Sequence, residues 1–527
     1  MKFVFIYPPS ADPTCPPLCL SRIKGAAESI FKGFQFDFFD ENNAFVRYVI
    51  NSVLSEKDSE KILTALAILK IKFLFLDIKK YKFAYDCISE VFRRFSEGYP
   101  IHIGYATADI FYDSKKIRSI LDSDLNPYLE YFSYRLESLL EEADIVGISV
   151  IYPSQLLSSL TILMLSKKKK SDIVVIFGGP FVSILRERLI RLFPEIDGIV
   201  PGDAEAFFEF AKGKIKRKED VAETVSAYIS SKRYFSEIRY PADFSWMNPS
   251  DYLLPESVIP IDITRGCYYG KCVFCAYGHI GSPYRRMDLR DLIDTIKGLK
   301  ERFKAKRFFF SVDAIDTVFL EDLAKRIIKE RLEITYCLDA RCEKRFKEED
   351  FAKILFDSGC RAISFGMESA SQRTLDLMKK GIKAEDLPYI FENLNRKGIH
   401  VQVHLIHGFP GEKKEDIKRT MEFLKENKDK IITAGVSNFT LFIGSAMEKR
   451  MKDYGIEEAY IPEDLSICYS YRTSFEKGYP DFSKFRNVLF GIFPCIGRLT
   501  GSTTDYLIYA SHFSPDEMRR ILRTTFL

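Results

Sequence analysis

The sequence of 527 residues lacks any run of eighteen uncharged apolar residues, so no segment is expected to cross a membrane as a helix. It also lacks a charge excess, because 78 basic and 74 acidic side chains leave a formal net charge of +4. Its longest basic run, Lys167 to Lys170, is too short to indicate a nucleic-acid surface. The first residues, Lys2 to Tyr7, are strand-like and show no signal-peptide pattern. These absences predict a cytoplasmic protein with no nucleic-acid and no membrane partner.

A disulfide framework is not expected either. Eight of the eleven cysteines are scattered singly along a chain predicted to be intracellular, where thiols stay reduced: Cys15, Cys19, Cys87, Cys337, Cys342, Cys360, Cys468 and Cys495. Two pairs among them, Cys15 with Cys19 and Cys337 with Cys342, are close enough for a shared metal, but each lacks a nearby third ligand. Most of these residues are therefore predicted to be small buried hydrophobes.

The remaining three cysteines, Cys267, Cys272 and Cys275, lie within nine residues, directly after the apolar segment Val258 to Thr264. Three thiols at this spacing indicate a metal site. A closed structural zinc site uses four ligands, whereas three cysteines on an iron-sulfur cube leave one iron open for chemistry. His279 is near enough to supply a fourth ligand, so a zinc site remains an alternative.

The first 232 residues alternate strand-like and helix-like segments, which predicts an α/β domain with a doubly wound parallel sheet. Five strands are expected, at 3–7, 35–39, 143–150, 173–177 and 198–200. The hundred residues between the second and third strands are too long for an ordinary connection, so 44–142 is predicted to be a helical insertion. Residues 233–257 carry three prolines and are predicted to be a linker.

From Val258 onward the pattern changes to strict alternation of strand and helix. Strands are expected at 258–264, 306–312, 332–338, 361–366, 399–407 and 434–442, with five helices between them. Six such units over 258–445 predict a partial β/α barrel of the TIM type, with its active site at the carboxyl ends of the strands. Residues 446–527 show no such repeat and are predicted to be an α+β cap.

Three motifs follow the predicted strand ends in order: Ile263 to Cys275 with its three cysteines, Phe365 to Ser369, and His407 to Glu412. Together they resemble the radical S-adenosylmethionine superfamily. The resemblance implies a 4Fe-4S cluster on the three cysteines and a free iron chelated by S-adenosylmethionine, which is cleaved to a 5′-deoxyadenosyl radical. One departure is that four residues separate the first two cysteines, where three are more common.

The same resemblance implies which residues contact S-adenosylmethionine: Asp313, Arg341, Gly366, Glu368, Gly408 and Gly411. Glu368 would accept hydrogen bonds from the ribose hydroxyls, or it is a salt-bridged barrel carboxylate. Asp313, with Asp316 as the alternative, would meet the methionine ammonium. Arg341 would bind the cofactor carboxylate with two parallel hydrogen bonds from its guanidinium. The alternative, and the default expectation, is an exposed loop arginine without this role.

Two histidines, His404 and His407, lie three residues apart on one predicted strand and should face opposite sides of the sheet. Either is a candidate acid or base for a substrate, although a packed structural histidine is the commoner case.

The first domain is similar to the cobalamin-binding domain that precedes the barrel in one branch of that superfamily. The similarity lies in Gly147 to Ser154, Phe177 to Pro180 and Gly198 to Glu205, and it implies a corrin site lined by Ser149, Gly178, Gly179 and Gly202. No Asp-x-His-x-x-Gly motif is present, so no histidine from such a motif ligates the lower face of cobalamin. A domain that keeps this fold without binding a corrin is the alternative.

These resemblances imply a cobalamin-dependent enzyme that methylates an unactivated carbon of a small molecule or peptide and needs an external one-electron reductant. One alternative is a radical enzyme that cyclises, cross-links or dehydrogenates its substrate without methyl transfer. A second is a non-enzymatic scaffold carrying zinc. The identity of the substrate and the oligomeric state are not predicted.

Overall fold

The computed structural model describes residues 1–54, 56–276, 282–474, 481–493 and 503–526, and it divides into two compact units. The first consists of Met1–Lys70, Phe83–Leu253 and Pro462–Ile467, and the second of Ile71–Lys82, Leu254–Ile461 and Cys468–Leu527. Among the described residues, no helix is both long and apolar enough to span a bilayer.

The first unit is built on a five-stranded parallel sheet with the order β2-β1-β3-β4-β5. Its strands are β1 (Lys2–Tyr7), β2 (Gln35–Asp40), β3 (Ile145–Ser149), β4 (Val174–Gly178) and β5 (Gly198–Val200). The order of the strands along the sheet reverses between the neighbours β1 and β3. A doubly wound fold places its ligand crevice at such a point. The predicted fold class is confirmed for this unit.

Helices cover both faces of this sheet and form the insertion between β2 and β3: Leu18–Ile30, Glu41–Ser52, Glu56–Lys70, Ser114–Leu121, Leu129–Leu139, Leu156–Lys169, Pro180–Leu192, Ala204–Ala211 and Asp220–Ser231. Two of them begin at aspartates whose side chains accept hydrogen bonds from the first-turn N–H groups: Asp40 from Asn43, and Asp113 from Lys115. Helix Ile78–Phe95 begins in the second unit and continues in the first.

The second unit opens with β6 (Val258–Asp262) and a short antiparallel ribbon of β7 (Thr264–Arg265) and β8 (Arg285–Arg286). Five more strands follow: β9 (Arg307–Ser311), β10 (Thr335–Ala340), β11 (Cys360–Glu368), β12 (His400–His407) and β13 (Thr433–Asn438). They join β6 in a six-stranded sheet of order β13-β12-β11-β10-β9-β6, in which every pair is parallel. The predicted partial β/α barrel is confirmed as the fold of this unit.

The barrel helices alternate with these strands at Leu289–Phe303, Thr317–Lys329, Glu349–Asp357, Gln372–Leu377, Leu387–Arg396 and Lys414–Glu426. The remaining residues are of mixed type, as predicted for the cap. They include a three-stranded sheet of β14 (Leu441–Phe442), β15 (Ile456–Tyr460) and β16 (Cys468–Thr473), and the helices Phe482–Phe490, Thr503–Ala510 and Pro515–Phe526.

Helix Thr503–Ala510 lies against the amino ends of the barrel strands. Tyr506, fully buried, brings its hydroxyl within 2.6 Å of Nδ1 of His400 at the start of β12. Ser511, just after the helix, donates a hydrogen bond to Thr335 at the start of β10. Burial lowers the pKa of His400 to about 4, so this histidine is neutral and part of the packing.

Candidate cofactor and metal site

The cysteine loop leaves β7 through Gly266, whose φ of +74° is a conformation that side-chain-bearing residues rarely adopt. A Cβ at this position would lie 2.4 Å from the carbonyl oxygen of Pro283. The N–H of Gly266 donates a 2.8 Å hydrogen bond to Oδ2 of Asp313, which follows β9. Cys267 then forms an isolated parallel bridge with Ala314. The start of the loop is therefore fixed to the carboxyl end of the neighbouring strand.

The far side of the loop is held by the segment after helix Gln372–Leu377. Val273 donates its backbone N–H to the carbonyl of Met378 at 3.1 Å, and the Tyr269 hydroxyl donates to the carbonyl of Lys379 at 2.8 Å. Phe274 contacts the ring of Phe409 at a centroid distance of 6.5 Å. The first and third sequence motifs therefore meet at one end of the barrel.

The three predicted cluster ligands, Cys267, Cys272 and Cys275, are not in disulfide bonds within the described residues. Within the part of the chain that the structure describes, no group of three cysteine, histidine or acidic side chains is drawn together as a metal site. Burial raises the pKa of the Cys272 thiol, while the nearby charges of Lys380 and Arg341 act to lower it. Two cations beside a cysteine of this loop suit the negative charge of a thiolate-bound cluster, so the donor set fits an iron-sulfur centre. His279, the alternative fourth ligand, lies outside the described residues.

Arg341, after β10, is only 5% exposed. The alternative expectation, an exposed loop arginine, is therefore wrong. Its guanidinium donates to the carbonyl of Lys380 at 2.6 Å, to Glu343 at 3.0 Å and to the Cys272 sulfur at 3.7 Å. The guanidinium carbon also stands 3.5 Å from the ring centroid of Tyr269, in cation–π contact. Arg341 therefore braces the cysteine loop, and its contact with a cofactor carboxylate stays a prediction.

Glu368 is buried at the end of β11, beyond a register shift that starts at Gly366, and has a φ of +63°. Its Oε1 accepts a 2.7 Å hydrogen bond from the ammonium of Lys380, also buried. Burial alone would lower the pKa of Lys380, but the charges of Glu368 and Cys272 outweigh it and raise that pKa. A Cβ on Gly366 would lie 2.8 Å from Glu368 Oε1, so the glycine leaves room for the ion pair. The ribose contacts predicted for Gly366 and Glu368 stay predictions.

Lys380 was not identified from the sequence. It follows another lysine in a turn, and no periodic pattern marks it as buried. Its position between Glu368 and Cys272 links the first and second motifs directly.

The turn after β12 contains both of its predicted glycines in left-handed conformations, Gly408 at φ +76° and Gly411 at φ +87°. The N–H of Gly408 donates to Glu412 Oε2 at 2.9 Å, and the carbonyl of Gly411 accepts from Arg373 at 2.7 Å. Burial raises the pKa of Glu412 to about 7, although the hydrogen bond from Gly408 opposes the shift. These hydrogen bonds with Glu412 and Arg373 fix the backbone of the turn. Its approach to adenine stays a prediction.

The two candidate carboxylates for the methionine ammonium are placed differently. Asp316 caps helix Thr317–Lys329, accepts a 2.6 Å hydrogen bond from Tyr284 and pairs with Arg286 at 2.8 Å. Asp313 is an exposed residue that receives the N–H of Gly266. Asp313 is therefore the better placed of the two, and its contact with the cofactor stays a prediction.

His404 and His407 have different surroundings. His407 is buried, with Nδ1 3.3 Å from Asn438 Oδ1 and its ring centroid 4.9 Å from that of Phe485. His404 is exposed, and its Nε2 is 2.7 Å from the hydroxyl of Ser364 on β11.

In the first unit, the predicted corrin residues Ser149 and Gly178 are register partners at the carboxyl ends of β3 and β4. A Cβ on Gly178 would meet one atom within 4 Å, the Val200 carbonyl oxygen at 3.8 Å, so backbone surface is open there. Gly179 and Gly202 have φ of +113° and +78°. A Cβ on either would collide with backbone oxygens at 2.3 and 2.1 Å, so both glycines are required by the turns themselves.

Ser149, at the end of β3, also lies beside the point where the strand order reverses, next to Cys19. The Ser149 side chain hydrogen-bonds Cys19, whose thiol pKa burial raises to about 11. A cofactor crevice at this edge agrees with the general rule for doubly wound sheets. The predicted contacts of the four residues with cobalamin stay predictions.

Comparison with known proteins gives two family matches and several relatives. Residues 261–424 match the family model of the Radical SAM superfamily, and residues 115–211 match that of the B12 binding domain. The chain is 26% identical over 302 residues to an uncharacterized methyltransferase of Pyrococcus horikoshii, covering 54% of this chain and 64% of that protein. It is 24% identical over 296 residues to the bacteriochlorophyllide d C-12(1)-methyltransferase of Chlorobaculum tepidum, covering 54% and 62%. The matches therefore span less than two thirds of these relatives.

Among solved structures, the fold is similar to that of the radical S-adenosylmethionine methyltransferase TsrM from Kitasatospora setae, solved with tryptophan and a cofactor analogue. The TM-score is 0.60 at 13% identity, over 99% of this chain and 98% of that one. The cobalamin-dependent radical enzyme OxsB matches with a TM-score of 0.54 at 12% identity, over 90% of this chain and 64% of that one. At these identities the likeness concerns the fold.

Proposed function

Because the chain carries a radical S-adenosylmethionine domain and a B12-binding domain, we propose that it is a cobalamin-dependent radical enzyme. Its reaction is the methylation of an unactivated carbon in a small molecule or peptide, driven by an external one-electron reductant. When bound, the 4Fe-4S cluster, S-adenosylmethionine and cobalamin supply the radical and the methyl group.

The observation that carries the proposal is the cysteine loop at the carboxyl end of β6. Cys267, Cys272 and Cys275 would hold the cluster. Arg341 and Lys380 lie beside Cys272 and stabilise negative charge on its sulfur. Because both cations are buried, their attraction for thiolates is only weakly screened by water or salt.

Other residues of the barrel would seat S-adenosylmethionine. Asp313 and Glu368 offer carboxylate oxygens at the ends of β9 and β11, and the turn at Gly408 offers backbone without a side chain. The ion pair with Lys380 orients the Glu368 carboxylate.

In the first unit, cobalamin would lie along the carboxyl ends of β3 and β4. Ser149 and the open backbone at Gly178 would face the corrin, and the turns at Gly179 and Gly202 would shape the edge. No lower-face histidine is assigned, in keeping with the missing Asp-x-His-x-x-Gly motif.

The test is anaerobic reconstitution of the full chain with iron and sulfide in the presence of excess hydroxocobalamin. We expect about four irons and four sulfides per chain, a retained corrinoid, and reductive cleavage of S-adenosylmethionine to methionine and 5′-deoxyadenosine. Cys272→Ala should lose cluster iron and cleavage together. Cys468→Ala, a half-buried cysteine on β16, is the matched control and should keep both.

Two outcomes separate the alternatives. A protein that binds one zinc and no iron or sulfide would be a zinc scaffold and not a radical enzyme. A protein that cleaves S-adenosylmethionine but never retains a corrinoid would carry out a radical reaction without methyl transfer from cobalamin.

A further inference from the structure

Three polar side chains, Asp339, Ser364 and His404, lie side by side on the neighbouring strands β10, β11 and β12. Asp339 and Ser364 are register partners, and the Ser364 hydroxyl is 2.7 Å from Nε2 of His404. The opposite face of β11 is covered by helices, since the Phe365 ring contacts that of Phe391 at 5.8 Å. Because side chains alternate along a strand, the three polar residues face the barrel interior.

Ser364 lies between the other two side chains of this row. The Ser364 hydroxyl is 2.7 Å from Nε2 of His404, and a hydrogen bond from Ser364 acts to lower the pKa of Asp339. When the hydroxyl donates to the Asp339 carboxylate, its oxygen accepts from the Nε2–H of His404. Nδ1 is then the basic nitrogen of the neutral imidazole.

The charges around Asp339 match this arrangement. Burial raises the pKa of its carboxyl, the charge of His404 acts to lower it, and Asp313, beyond the end of β9, acts to raise it. A positive charge on His404 therefore favours the ionised form of Asp339.

On the other side of His404, β13 carries a glycine at the register position opposite it. A Cβ at Gly435 would lie 3.2 Å from Nδ1 of His404, tighter than ordinary contact. His404 is exposed, whereas His400 and His407 on the same strand are buried. The glycine thus leaves space beside Nδ1 that a larger residue would fill.

We propose that His404 is a substrate-binding base, positioned by Ser364 and Asp339, which takes a proton from an N–H or O–H group of the substrate. The proton passes to the Nδ1 lone pair, and the bonding electrons stay on the substrate, so no oxidant or reductant is consumed. The resulting imidazolium is stabilised by Asp339 through the Ser364 hydroxyl. The inference rests on the proposed function and adds that the methylated substrate carries such an ionisable group.

The test of the relay does not need the substrate. The reconstituted full-length protein is treated with diethyl pyrocarbonate, which acylates neutral imidazole, and modification at each histidine is followed by peptide mass spectrometry as a function of pH. We expect His404 to react, because its side chain is exposed. Asp339→Asn removes a negative charge from this row, so acylation of His404 at acidic pH should be several-fold faster in this variant than in the wild type. Exposed His102, in the other unit, is the internal control and should not change.

Two further variants make the test specific. Ser364→Ala should change the acylation rate of His404 at acidic pH in the same direction by less, which keeps the test available if Asp339→Asn fails to fold. Gly435→Ala should slow acylation of His404 to the same extent at every pH, because it crowds Nδ1. An acylation rate at acidic pH that is unchanged in both Asp339→Asn and Ser364→Ala would overturn the relay, as would a His404 that does not react when His102 does.

A second measurement tests contact with substrate. The wild type and His404→Gln are incubated with an extract of cellular small molecules and peptides and with methyl-labelled S-adenosylmethionine. We expect His404→Gln to reduce label incorporation at least about a hundredfold, within the range for loss of a general base. Equal incorporation by the two proteins would overturn the inference. No incorporation by the wild type would instead count against the proposed function, and acylation would still decide whether the relay exists.

Discussion

The buried ion pair between Lys380 and Glu368 gives the sharpest stability prediction. The side chains are 7% and 11% exposed, and their charged atoms are 2.7 Å apart. At an effective dielectric constant of about 20, that separation corresponds to an attraction of about 6 kcal/mol, and desolvation of both ions opposes most of it. Lys380→Met removes the attraction but leaves the Glu368 carboxylate buried without its cation. The free energy of unfolding should therefore fall by about 3–5 kcal/mol.

A double-mutant cycle isolates this interaction. Lys380→Met, Glu368→Gln and the double variant are unfolded in urea without iron, and the transition is followed by far-ultraviolet circular dichroism. The double variant should be more stable than Lys380→Met alone, because no unpaired charge remains buried. Lys418→Met is the matched control, since Lys418 pairs with Glu422 on an exposed helix face at 3.8 Å and should contribute about 0.5 kcal/mol or less.

The reasoning would be refuted by a Lys380→Met variant that loses no more stability than Lys418→Met. Equal destabilisation in the single and double variants would show that packing of the lysine stem matters and the charge does not.

Three further predictions concern the site and its supports. Burial raises the pKa of Glu412 to about 7 from 4.5, so between these pH values the folded protein keeps a proton that the unfolded chain loses. The free energy of unfolding therefore falls as the pH rises between them. Glu412→Gln should remove about 3 kcal/mol of that loss, measured by urea unfolding at about pH 4.5 and pH 8. Gly202→Ala should lower the free energy of unfolding by about 3 kcal/mol or more, because its Cβ would lie 2.1 Å from a backbone oxygen. Gly213→Ala is the control: its φ is similar but nothing lies within 4 Å of its Cβ, so it should cost only about 1–2 kcal/mol of backbone strain. Equal losses of stability in the two variants would show that the collision at Gly202 does not matter. Tyr506→Phe removes the hydroxyl beside Nδ1 of buried His400, whose Nε2 keeps its contact with the Phe513 carbonyl. It should cost about 1–3 kcal/mol in thermal or urea unfolding, while a change near zero would show that the 2.6 Å contact is not a stabilising bond.

Periodicity located the barrel strands and helices well, and it failed where the backbone departs from regular structure. A helix was expected between the second and third barrel strands, and it lies at Thr317–Lys329, where apolar residues recur at helical spacing after the capping residue Asp316. The third barrel strand was predicted at 332–338 but lies at Thr335–Ala340. Arg331 and Glu333 both have positive φ, so the apolar residues around them belong to a turn. Composition does not reveal that turn.

The candidate site shows the same division. The cysteines and the glycine turns follow strand ends and carry recognisable motifs, so they could be identified in advance. Lys380 and the burial of Arg341 depend on how distant segments pack, and neither residue has a local signal. The second unit also includes Ile71–Lys82, and this assignment depends on packing. The rings of Phe75 and Tyr509 contact each other with centroids 5.3 Å apart, although more than four hundred residues separate them in the sequence.

The anchors of the cysteine loop have a consequence for assembly. Its backbone is tied to Asp313, Ala314 and Met378 by hydrogen bonds that involve no metal. In small zinc domains the metal itself provides the folding energy, and the apo chain is unfolded. Because the contacts of this loop are made by protein atoms alone, we expect its backbone to keep its course without a metal. We therefore predict that cluster insertion follows folding of the chain, and that protein purified in air accepts iron and sulfide afterwards without refolding.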